Sequence, residues 1–402
     1  MASVIDQLLR KQAKHAEMLT RVEEGTARLD RHKRKLGELE TSISALESLA
    51  AAPHRRRGPN GRAAPGTRRA QLIFNPTSGR DASDSSARLV QIVSGLRDHG
   101  IEVAIGLKTS GKAARNLARN AVRDEAPLVI VAAGDGTISD VAAELVGTPV
   151  ALGIVPIGTM NNLARALGIP LAIDEASALI GMGTIRHIDI GRVRTHESAH
   201  DEYFLECAGV GLSAIGALAG QSFEKRRWRM FPRALRRYFE ARLGAVRIEL
   251  DDTAIDASTR IVTVSNAPLM GNNMLAAPGA KMDDGFLDVS VYDGMGDAAL
   301  VGHFLSASSH TPDDLRIYRA RRVRITTDQA VLSNVGTKIT AERNVVEIEI
   351  VPGALAMIVG NGIGLTTPVE GAPSAPTYAT GPPQGNGAEN GDSTRNSPGR
   401  TS

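Results

Sequence analysis

Residues 128–137 read Leu-Val-Ile-Val-Ala-Ala-Gly-Asp-Gly-Thr, and this stretch decides the fold. Its first six residues are small or apolar and carry no charge, which is typical of a strand buried on both faces of a parallel sheet. A helical pattern follows at once, with apolar residues at Ile138, Val141 and Leu145. A strand, a glycine turn and a helix bring backbone N–H groups and a helix N-terminus to one point, which suits phosphate binding. We expect the glycines to leave room for the ligand and Thr137 to cap the helix.

Two further polar loops follow apolar runs. Residues 71–74 predict a short strand, and Asn-Pro-Thr-Ser-Gly follows it at residues 75–79. Residues 150–155 predict another strand, and Pro-Ile-Gly-Thr-Met-Asn follows it at residues 156–161. Loops that leave the carboxyl ends of strands in an open parallel sheet lie at the same edge, where ligands bind. We therefore expect the three loops to form one site.

Together the three loops resemble the catalytic domain of diacylglycerol kinases and of their bacterial lipid kinase and sphingosine kinase relatives. The family pattern is Asn-Pro-x-Ser-Gly, then Gly-Gly-Asp-Gly-Thr, then Gly-Thr-x-Asn. Residues 283–289 resemble a later family segment, Asp-Asp-Gly-x-Leu-Asp-Val. The resemblance covers about residues 69–360. It implies an ATP-dependent lipid kinase that transfers the γ-phosphoryl group to a hydroxyl of a diacylglycerol-like or sphingoid lipid.

The resemblance also implies the cofactors, ATP and Mg²⁺, and the residues near them. Residues 133–139 would wrap the phosphates, and Asp135 would order Mg²⁺ or its water; a plain turn residue is the alternative. Thr109 would contact ATP, although the sequence by itself predicts only a helix N-cap there, and Asn161 is expected to hold the third loop by side-chain hydrogen bonds. The expected nucleotide-binding residues are Asn75, Pro76, Ser78, Gly79, Thr109, Ala133, Gly134, Asp135, Gly136, Thr137, Ile138, Ser139, Gly158, Thr159 and Asn161.

A structural Mg²⁺ is implied in the later motif. Asp284 would bind it, together with the backbone carbonyls of Lys281 and Phe286, because a hard cation favours such oxygens. A type I′ hairpin turn is the alternative interpretation of this stretch.

The chain departs from the family pattern at several positions. Ala133 replaces a glycine, Asp140 replaces a glutamate and Asn162 replaces an aspartate, and none of these changes forbids nucleotide binding.

The general base is the larger departure. In the resembled kinases a glutamate ends an Asp-Gly-Glu turn, but alignment on Gly336 places Val335 and Thr337 where the acids belong. A neutral hydroxyl cannot serve as a base near pH 7. Asp328 and Glu342 are close in sequence, but neither fits the motif, so the catalytic residue stays unassigned. A nucleotide- or lipid-binding pseudokinase is therefore the alternative function.

Composition limits the possible partners. The net charge of +3 and an aromatic content of 3% argue against nucleic acid. One cysteine, Cys207, excludes an internal disulfide. We see neither a signal peptide nor an apolar run long enough to span a bilayer, so we expect a cytoplasmic protein with reversible, peripheral membrane contact.

The patterns predict an α/β plus β fold. An N-terminal helix precedes an open parallel-sheet nucleotide-binding domain over residues 69–186 and 352–362. An antiparallel β-sandwich for the lipid acceptor follows over residues 187–351, with one predicted strand at residues 203–208.

The flanking segments have their own signals. Residues 1–50 carry an apolar heptad repeat, which predicts either a coiled coil and hence a homo-oligomer, or a lone amphipathic helix. The basic linker 51–68 and the tail 366–402 are expected to be disordered. Residues 223–242 mix arginines with aromatics, which is typical of an interfacial membrane helix, although a cap helix is the alternative.

Overall fold

The structure is a computed structural model of the chain. It describes residues 68–79, 85–194, 201–211, 246–259, 261–270, 274–293, 315–331, 333–336, 338–340, 343–359 and 378–379, and four single residues of the N-terminal segment that are helical and exposed: Asp30, Gly37, Glu40 and Ser44. The rest of the predicted N-terminal helix, residues 51–67 of the linker, the basic helix at 223–242 and most of the tail lie outside the described residues.

The first region alternates strands and helices. Its elements are β1 (Arg68–Phe74), α1 (Ser85–Asp98), β2 (Ile101–Leu107), α2 (Gly111–Arg123), β3 (Leu128–Ala133), α3 (Asp135–Leu145), β4 (Ala151–Pro156), α4 (Asn162–Ala166) and α5 (Ile173–Met182). The strands pair in parallel in the order β2-β1-β3-β4. Every residue of β3 and β4 is buried, because helices cover both faces of the sheet.

Two apolar layers hold these helices on the sheet. Val129 and Val131 pack with the α3 residues Ile138 and Val141 on one face. On the other face, Ile130 belongs to a cluster with α1 residues that include Leu89, Ile92 and Leu96. The parallel α/β architecture predicted from the sequence is confirmed.

The second region is built from strands. They are β5 (Thr184–Arg194), β6 (Glu202–Phe204), β7 (Cys207–Gly211), β8 (Val246–Leu250), β9 (Thr253–Ala257), β10 (Ile261–Ser265), β11 (Leu269–Met270), β12 (Met274–Leu275), β13 (Leu287–Tyr292), β14 (Leu315–Ala320), β15 (Arg322–Val331), β16 (Ser333–Val335), β17 (Lys338–Ile339) and β18 (Arg343–Val359). An antiparallel sheet has the order β14-β13-β10-β7-β16-β17. Its inner face packs against β8, β15 and β18 through an apolar core that includes Val264, Val289, Ile325 and Ile348. The predicted sandwich is confirmed.

One long strand joins the two regions. β18 has 17 residues, pairs antiparallel with β5 and β15, and then runs parallel to β4, with Met357 opposite Leu152. Its register against β5 shifts between Val351 and Leu355. The predicted strand at residues 203–208 is instead two strands, β6 and β7, with a break at Leu205 and Glu206.

Asp189 fixes the place where the regions join. The side chain is buried, and its two oxygens accept the N–H groups of Gly353 and Gly285, both at 2.7 Å. Gly353 has a φ of 58°, which allows the bulge in β18. A single buried carboxylate thus ties β5 to β18 and to the turn before β13.

Two residues of the tail, Tyr378 and Ala379, are among the described residues and contact β14. The Ala379 N–H donates to the carbonyl of Ile317 on β14 at 2.9 Å. The Arg319 guanidinium donates to the Tyr378 hydroxyl at 2.8 Å and lies 4.5 Å from the centre of its ring. The aromatic ring gains a cation–π contact that the polar sequence around it did not indicate.

Candidate functional site

The three polar loops meet at the carboxyl edge of the parallel sheet. A Cβ atom at Gly158 would lie 2.4 Å from the Cα of Gly134, so the third loop touches the second at a distance that only glycine allows. A Cβ at Gly79 would lie 2.8 Å from the carbonyl oxygen of Ile157, so the first loop touches the third in the same way. The φ of Gly79 is 85°, a second reason for glycine there. The loops therefore form one compact cradle.

Hydrogen bonds between buried side chains join the first loop to α3. The Asn75 amide donates to the Ser78 hydroxyl at 2.7 Å and lies 3.5 Å from the Thr137 hydroxyl. The side-chain oxygen of Asn75 accepts a hydrogen bond from the backbone N–H of Thr77 at 3.2 Å. Asn75, Ser78 and Thr137 are all buried. Thr137 does not cap α3 as we expected, because it is the third residue of the helix and Gly134 occupies the N-cap position.

Lys108 is a cation that the sequence did not indicate. It directly follows β2, and its Nζ donates to the Thr137 hydroxyl at 2.7 Å. The only sequence signal for Lys108 was its position directly after a predicted strand. In the structure, the Lys108 N–H bonds the carbonyl of Phe74 at 2.8 Å, which keeps this residue at the edge of the sheet. Lys112, by contrast, is exposed.

Asp135 connects the second loop to the third. The carboxylate is buried, and its two oxygens accept the N–H groups of Asn162 and Leu163, both at 3.2 Å. Burial raises the pKa of Asp135 above its ordinary value, and these backbone N–H groups oppose the shift. Both oxygens therefore have partners within the protein, and the plain turn residue that was our alternative is wrong, because Asp135 begins α3.

Asn161 holds the third loop in the expected way. Its side-chain oxygen accepts the Gly158 N–H at 2.9 Å, and its amide donates to the Gly158 carbonyl at 3.2 Å. The backbone of Asn161 is left-handed, with a φ of 54°, a conformation that asparagine tolerates better than most residues. These two bonds close the loop against the Gly134 turn.

The other expected site residues differ in their surroundings. Thr109 is exposed, and Ser110 is the N-cap of α2 because its hydroxyl accepts the Ala113 N–H at 3.0 Å. The Ile138 side chain is in the apolar core, so only its backbone is available to a ligand. The remaining expected residues are buried or half-buried around the cradle: Pro76, Ala133, Gly134, Gly136, Ser139, Gly158 and Thr159.

Among the described residues, positive charge exceeds negative charge at the rim of the cradle. Asp140 on α3 pairs with Arg115 at 3.1 Å and with Lys338 from the second region at 2.5 Å. Lys108 adds a third cation, whereas the Asp135 carboxylate is already solvated by backbone N–H groups. An excess of cations beside a helix N-terminus favours a polyanionic ligand.

Two family models match this chain. The model described as "Diacylglycerol kinase catalytic domain" covers residues 69–193, and the model described as "YegS C-terminal NAD kinase beta sandwich-like domain" covers residues 210–359. The chain belongs to the diacylglycerol kinase catalytic-domain family. The match to two successive models agrees with the two regions that share β5 and β18.

Named relatives of this family are similar over most of their length. A protein named diacylglycerol kinase from Bacillus subtilis (strain 168) is 29% identical over 66% of this chain and 88% of its own. One of the same name from Mycobacterium tuberculosis (strain CDC 1551 / Oshkosh) is 29% identical over 54% of this chain and 71% of its own. A crystal structure of a diacylglycerol kinase from Bacillus anthracis str. Sterne aligns with a TM-score of 0.57 and 22% identity, over 73% of this chain and 98% of that one. The structural likeness shows the fold.

The Mg²⁺ site that the diacylglycerol kinase family pattern implied at Asp284 stays a prediction, and Asp284 has protein neighbours of its own. One Asp284 oxygen accepts the Phe286 N–H at 3.1 Å, and the other lies 3.0 Å from the Arg319 guanidinium. Lys281 is exposed, and Arg319 also lies 3.4 Å from Asp288. Arg319 supplies the positive charge that a cation would supply. Within the described part of the chain, no group of three His, Cys, Asp or Glu side chains could hold a metal ion.

The type I′ turn, our alternative for this stretch, is wrong. It needs two successive residues with positive φ, but of residues 283–286 only Gly285 has one, at 76°.

The β16–β17 hairpin lies close to the cradle, because it contacts α3 through Lys338 and Asp140. Gly336 in this hairpin is the residue that we aligned with the glycine of the diacylglycerol kinase family's general-base turn. Val335 faces the sandwich core and cannot act on a substrate, while Thr337 lies outside the described residues. Asp328 is exposed on β15, and Glu342 is also outside the described residues.

Glu206 is a buried carboxylate beside this hairpin that sequence reasoning missed. It precedes Cys207, whose carbonyl accepts the Gly336 N–H at 2.8 Å. Its signal in the sequence was a charged residue inside an apolar run between the two regions.

Among the helices that the structure describes, none is both long and apolar enough to cross a membrane.

Proposed function

We propose that this protein is an ATP-dependent lipid kinase that phosphorylates a hydroxyl of a diacylglycerol-like or sphingoid lipid. The observation that carries the proposal is the cradle of three loops beside Lys108 and the N-terminus of α3. A Cβ at Gly158 or Gly79 would collide with a neighbouring loop, so these glycines let the loops pack closely together beside the N-terminus of α3, where phosphate can bind. Family membership and the names of the relatives support a kinase that acts on a lipid.

The chain's own residues would position the nucleotide. The Thr137 and Ile138 N–H groups already donate to the Gly134 carbonyl, whereas the Gly136 N–H precedes these bonds in the first turn of α3 and can donate to a phosphate oxygen. Lys108 and Thr137 would hold the adjacent phosphate, and Asn75 would fix Thr137 in place. We propose that Asp135 keeps the second and third loops together rather than binding the metal directly. Mg²⁺, bound with the nucleotide, would offset charge that develops on the transferred phosphoryl group.

The lipid acceptor would enter beside the β16–β17 hairpin. This hairpin belongs to the second region and contacts the helix that carries the phosphate site, so it borders the space between them. The acceptor hydroxyl needs a base. Glu206 is a candidate because it is a buried carboxylate next to Cys207, whose carbonyl accepts the Gly336 N–H in this turn. Without a base, positioning and charge stabilisation would leave a slower kinase, because a general base contributes about 10²–10⁴-fold to a rate.

Two further parts of the function stay proposals. Peripheral membrane contact from the cytoplasmic side would come from the basic, aromatic residues 223–242, since an enzyme that takes a lipid from a bilayer must reach its surface. Self-association would come from residues 1–50. Vesicle co-sedimentation and light scattering of variants that lack each segment test these two proposals separately.

The experiment that tests the function is lipid phosphorylation. The full chain is incubated with γ-labelled ATP, Mg²⁺ and vesicles that contain diacylglycerol, monoacylglycerol, sphingosine or ceramide. We expect label in one lipid. Mg²⁺-dependent ATP binding without labelled lipid would favour the pseudokinase alternative, and a failure to bind ATP at millimolar concentration would remove both.

A further inference from the structure

Lys338 is anchored in the second region and contacts the first. It pairs with Val335 across the β16–β17 hairpin, and the turn of this hairpin is fixed because the Gly336 N–H bonds the carbonyl of Cys207 at 2.8 Å. The Lys338 Nζ donates to the Asp140 carboxylate at 2.5 Å, over 198 positions of sequence. A side chain of the sandwich thus reaches the helix whose N-terminus forms the phosphate cradle.

The contact lies one helical turn from the cradle. Asp140 follows Thr137 by three residues on α3, and residues at this spacing are neighbours on one face, about 5–6 Å apart at Cβ. Thr137 is the residue whose hydroxyl accepts from Lys108. Lys108 and Lys338 therefore flank the first turns of α3 from opposite regions of the molecule.

Lys338 makes fewer hydrogen bonds to Asp140 than Arg115 does, although both cations contact the same oxygen. Arg115 donates to the same Asp140 oxygen through Nε and Nη2, both at 3.1 Å, whereas Lys338 makes a single contact. The Lys338 side chain is 48% exposed, against 12% for Asp140. Because water reaches the lysine side of this ion pair and Arg115 also pairs with Asp140, Lys338 can exchange this partner for another anion at small cost.

We propose that Lys338 leaves Asp140 and binds the terminal phosphate of the nucleoside triphosphate held by the three loops. The inference rests on the proposed function, because it takes the cradle to be the ATP site. Arg115 stays on Asp140 and keeps that carboxylate neutralised while Lys338 is away. A lysine fixed in the sandwich would then recognise the triphosphate, and it would link ATP binding to the contact between the two regions.

The test compares ATP with ADP. Dissociation constants for both, with Mg²⁺, are measured by calorimetry for the wild type, Lys338→Gln, Lys338→Arg and the control Arg123→Gln. Arg123 carries the same charge on an exposed side chain at the far end of α2, about 18 Å along the helix from its start. We expect Lys338→Gln to weaken ATP binding about tenfold or more and ADP binding less than about twofold, since a hydrogen bond to a charged group is lost with ATP alone. Lys338→Arg should recover most of the loss, and Arg123→Gln should change neither constant.

A double-mutant cycle separates contact with phosphate from an indirect role. If Lys338 only neutralises Asp140, then Lys338→Gln should have no effect on ATP binding in an Asp140→Asn background. If it contacts phosphate, the loss should persist there. Equal losses for ATP and ADP, or no loss in the Asp140→Asn background, overturn the inference while leaving the ATP site intact. A wild type that binds neither nucleotide refutes the proposed function instead.

Discussion

Replacement of Asp135 by alanine tests how the cradle is held together. The substitution removes both acceptors from the N–H groups of Asn162 and Leu163, which are buried at the start of α4. A buried donor left without a partner costs about 1–3 kcal/mol, so the two together cost about 2–6 kcal/mol. Part of this cost is offset because a buried charge is also removed, and burial already raises the pKa of Asp135. We expect a net loss of about 2 kcal/mol.

Thermal unfolding followed by circular dichroism measures this loss. For a domain of this size, about 2 kcal/mol corresponds to a fall in Tm of roughly 4–8 °C. Asp135→Asn is the matched control, because its amide oxygen still accepts one N–H, and its Tm should fall about half as far. Stabilisation by Mg-ATP should shrink in the alanine variant, since the second and third loops are no longer tied. A variant with the wild-type Tm and the wild-type response to Mg-ATP would refute this reasoning.

The pH dependence of stability, measured for the wild type and Asp135→Asn, gives an independent check. The folded-state pKa of Asp135 lies above its ordinary value of 3.8, so the folded protein binds more protons than the unfolded chain in the interval between the two. The contribution of this group is full below pH 3.8 and declines as the pH rises through its folded pKa. Asp135→Asn lacks this decline, so the stability difference between wild type and Asp135→Asn should narrow with rising pH over this interval. A widening difference would contradict the cause that we assign to the shift.

Three further predictions concern the second region. If Glu206 is the general base, Glu206→Gln should lower lipid phosphorylation about 10²–10⁴-fold with little change in ATP affinity. A wild-type rate in Glu206→Gln would exclude Glu206 as the base. If the wild type has no base and is slow, Thr337→Glu should raise its rate. Cys207 should not react with an aromatic disulfide reagent until the protein unfolds, because burial raises the pKa of its thiol; stoichiometric reaction of the native protein would contradict its position. Tyr378→Ala should speed proteolysis of the tail, because the ring that contacts Arg319 is lost. Tyr378→Phe keeps this ring and should have a smaller effect. Equal rates of proteolysis in the wild type and both variants would exclude a tail that is held on β14 by Tyr378.

The sequence predicted the elements that have a regular apolar pattern. β3 and β4 are short runs buried on both faces, and the glycine loops after them leave few alternatives to a parallel sheet. The cradle was predictable for the same reason, because loops at one sheet edge must lie close together. The role of Asn161 was predictable because asparagine side chains often form hydrogen bonds with the backbone of their own loop.

Contacts between distant segments were not predictable from local patterns. Lys108 becomes a site residue only because β2 lies beside β1, and Lys338 only because the sandwich sits against α3. We expected a domain boundary between residues 351 and 352, but β18 runs through it, because the left-handed Gly353 allows a bulge within one strand. Arg319, on a strand that the motif at Asp284 does not include, is an ion-pair partner of Asp284 that the sequence did not indicate.

The structure also decides which substitutions can restore the family's general-base turn. Restoration of the whole family turn would require Val335→Asp as well as Thr337→Glu. Val335 packs in the sandwich core, so an aspartate there would bury a carboxylate among apolar side chains and destabilise the protein. Only the Thr337 change is suitable as a test of the base.

The central claim is that the cradle beside Lys108 binds ATP for transfer to a lipid. The most direct measurement is the rate of label transfer from γ-labelled ATP to vesicle lipid by the wild type and by Lys108→Met, with Arg123→Gln as a charge control. The account predicts lipid labelling by the wild type and the control, and a loss of at least about tenfold in Lys108→Met at unchanged Tm. Labelling by Lys108→Met at the wild-type rate would place the site elsewhere, and the absence of labelled lipid in every sample would contradict the assignment of a lipid kinase.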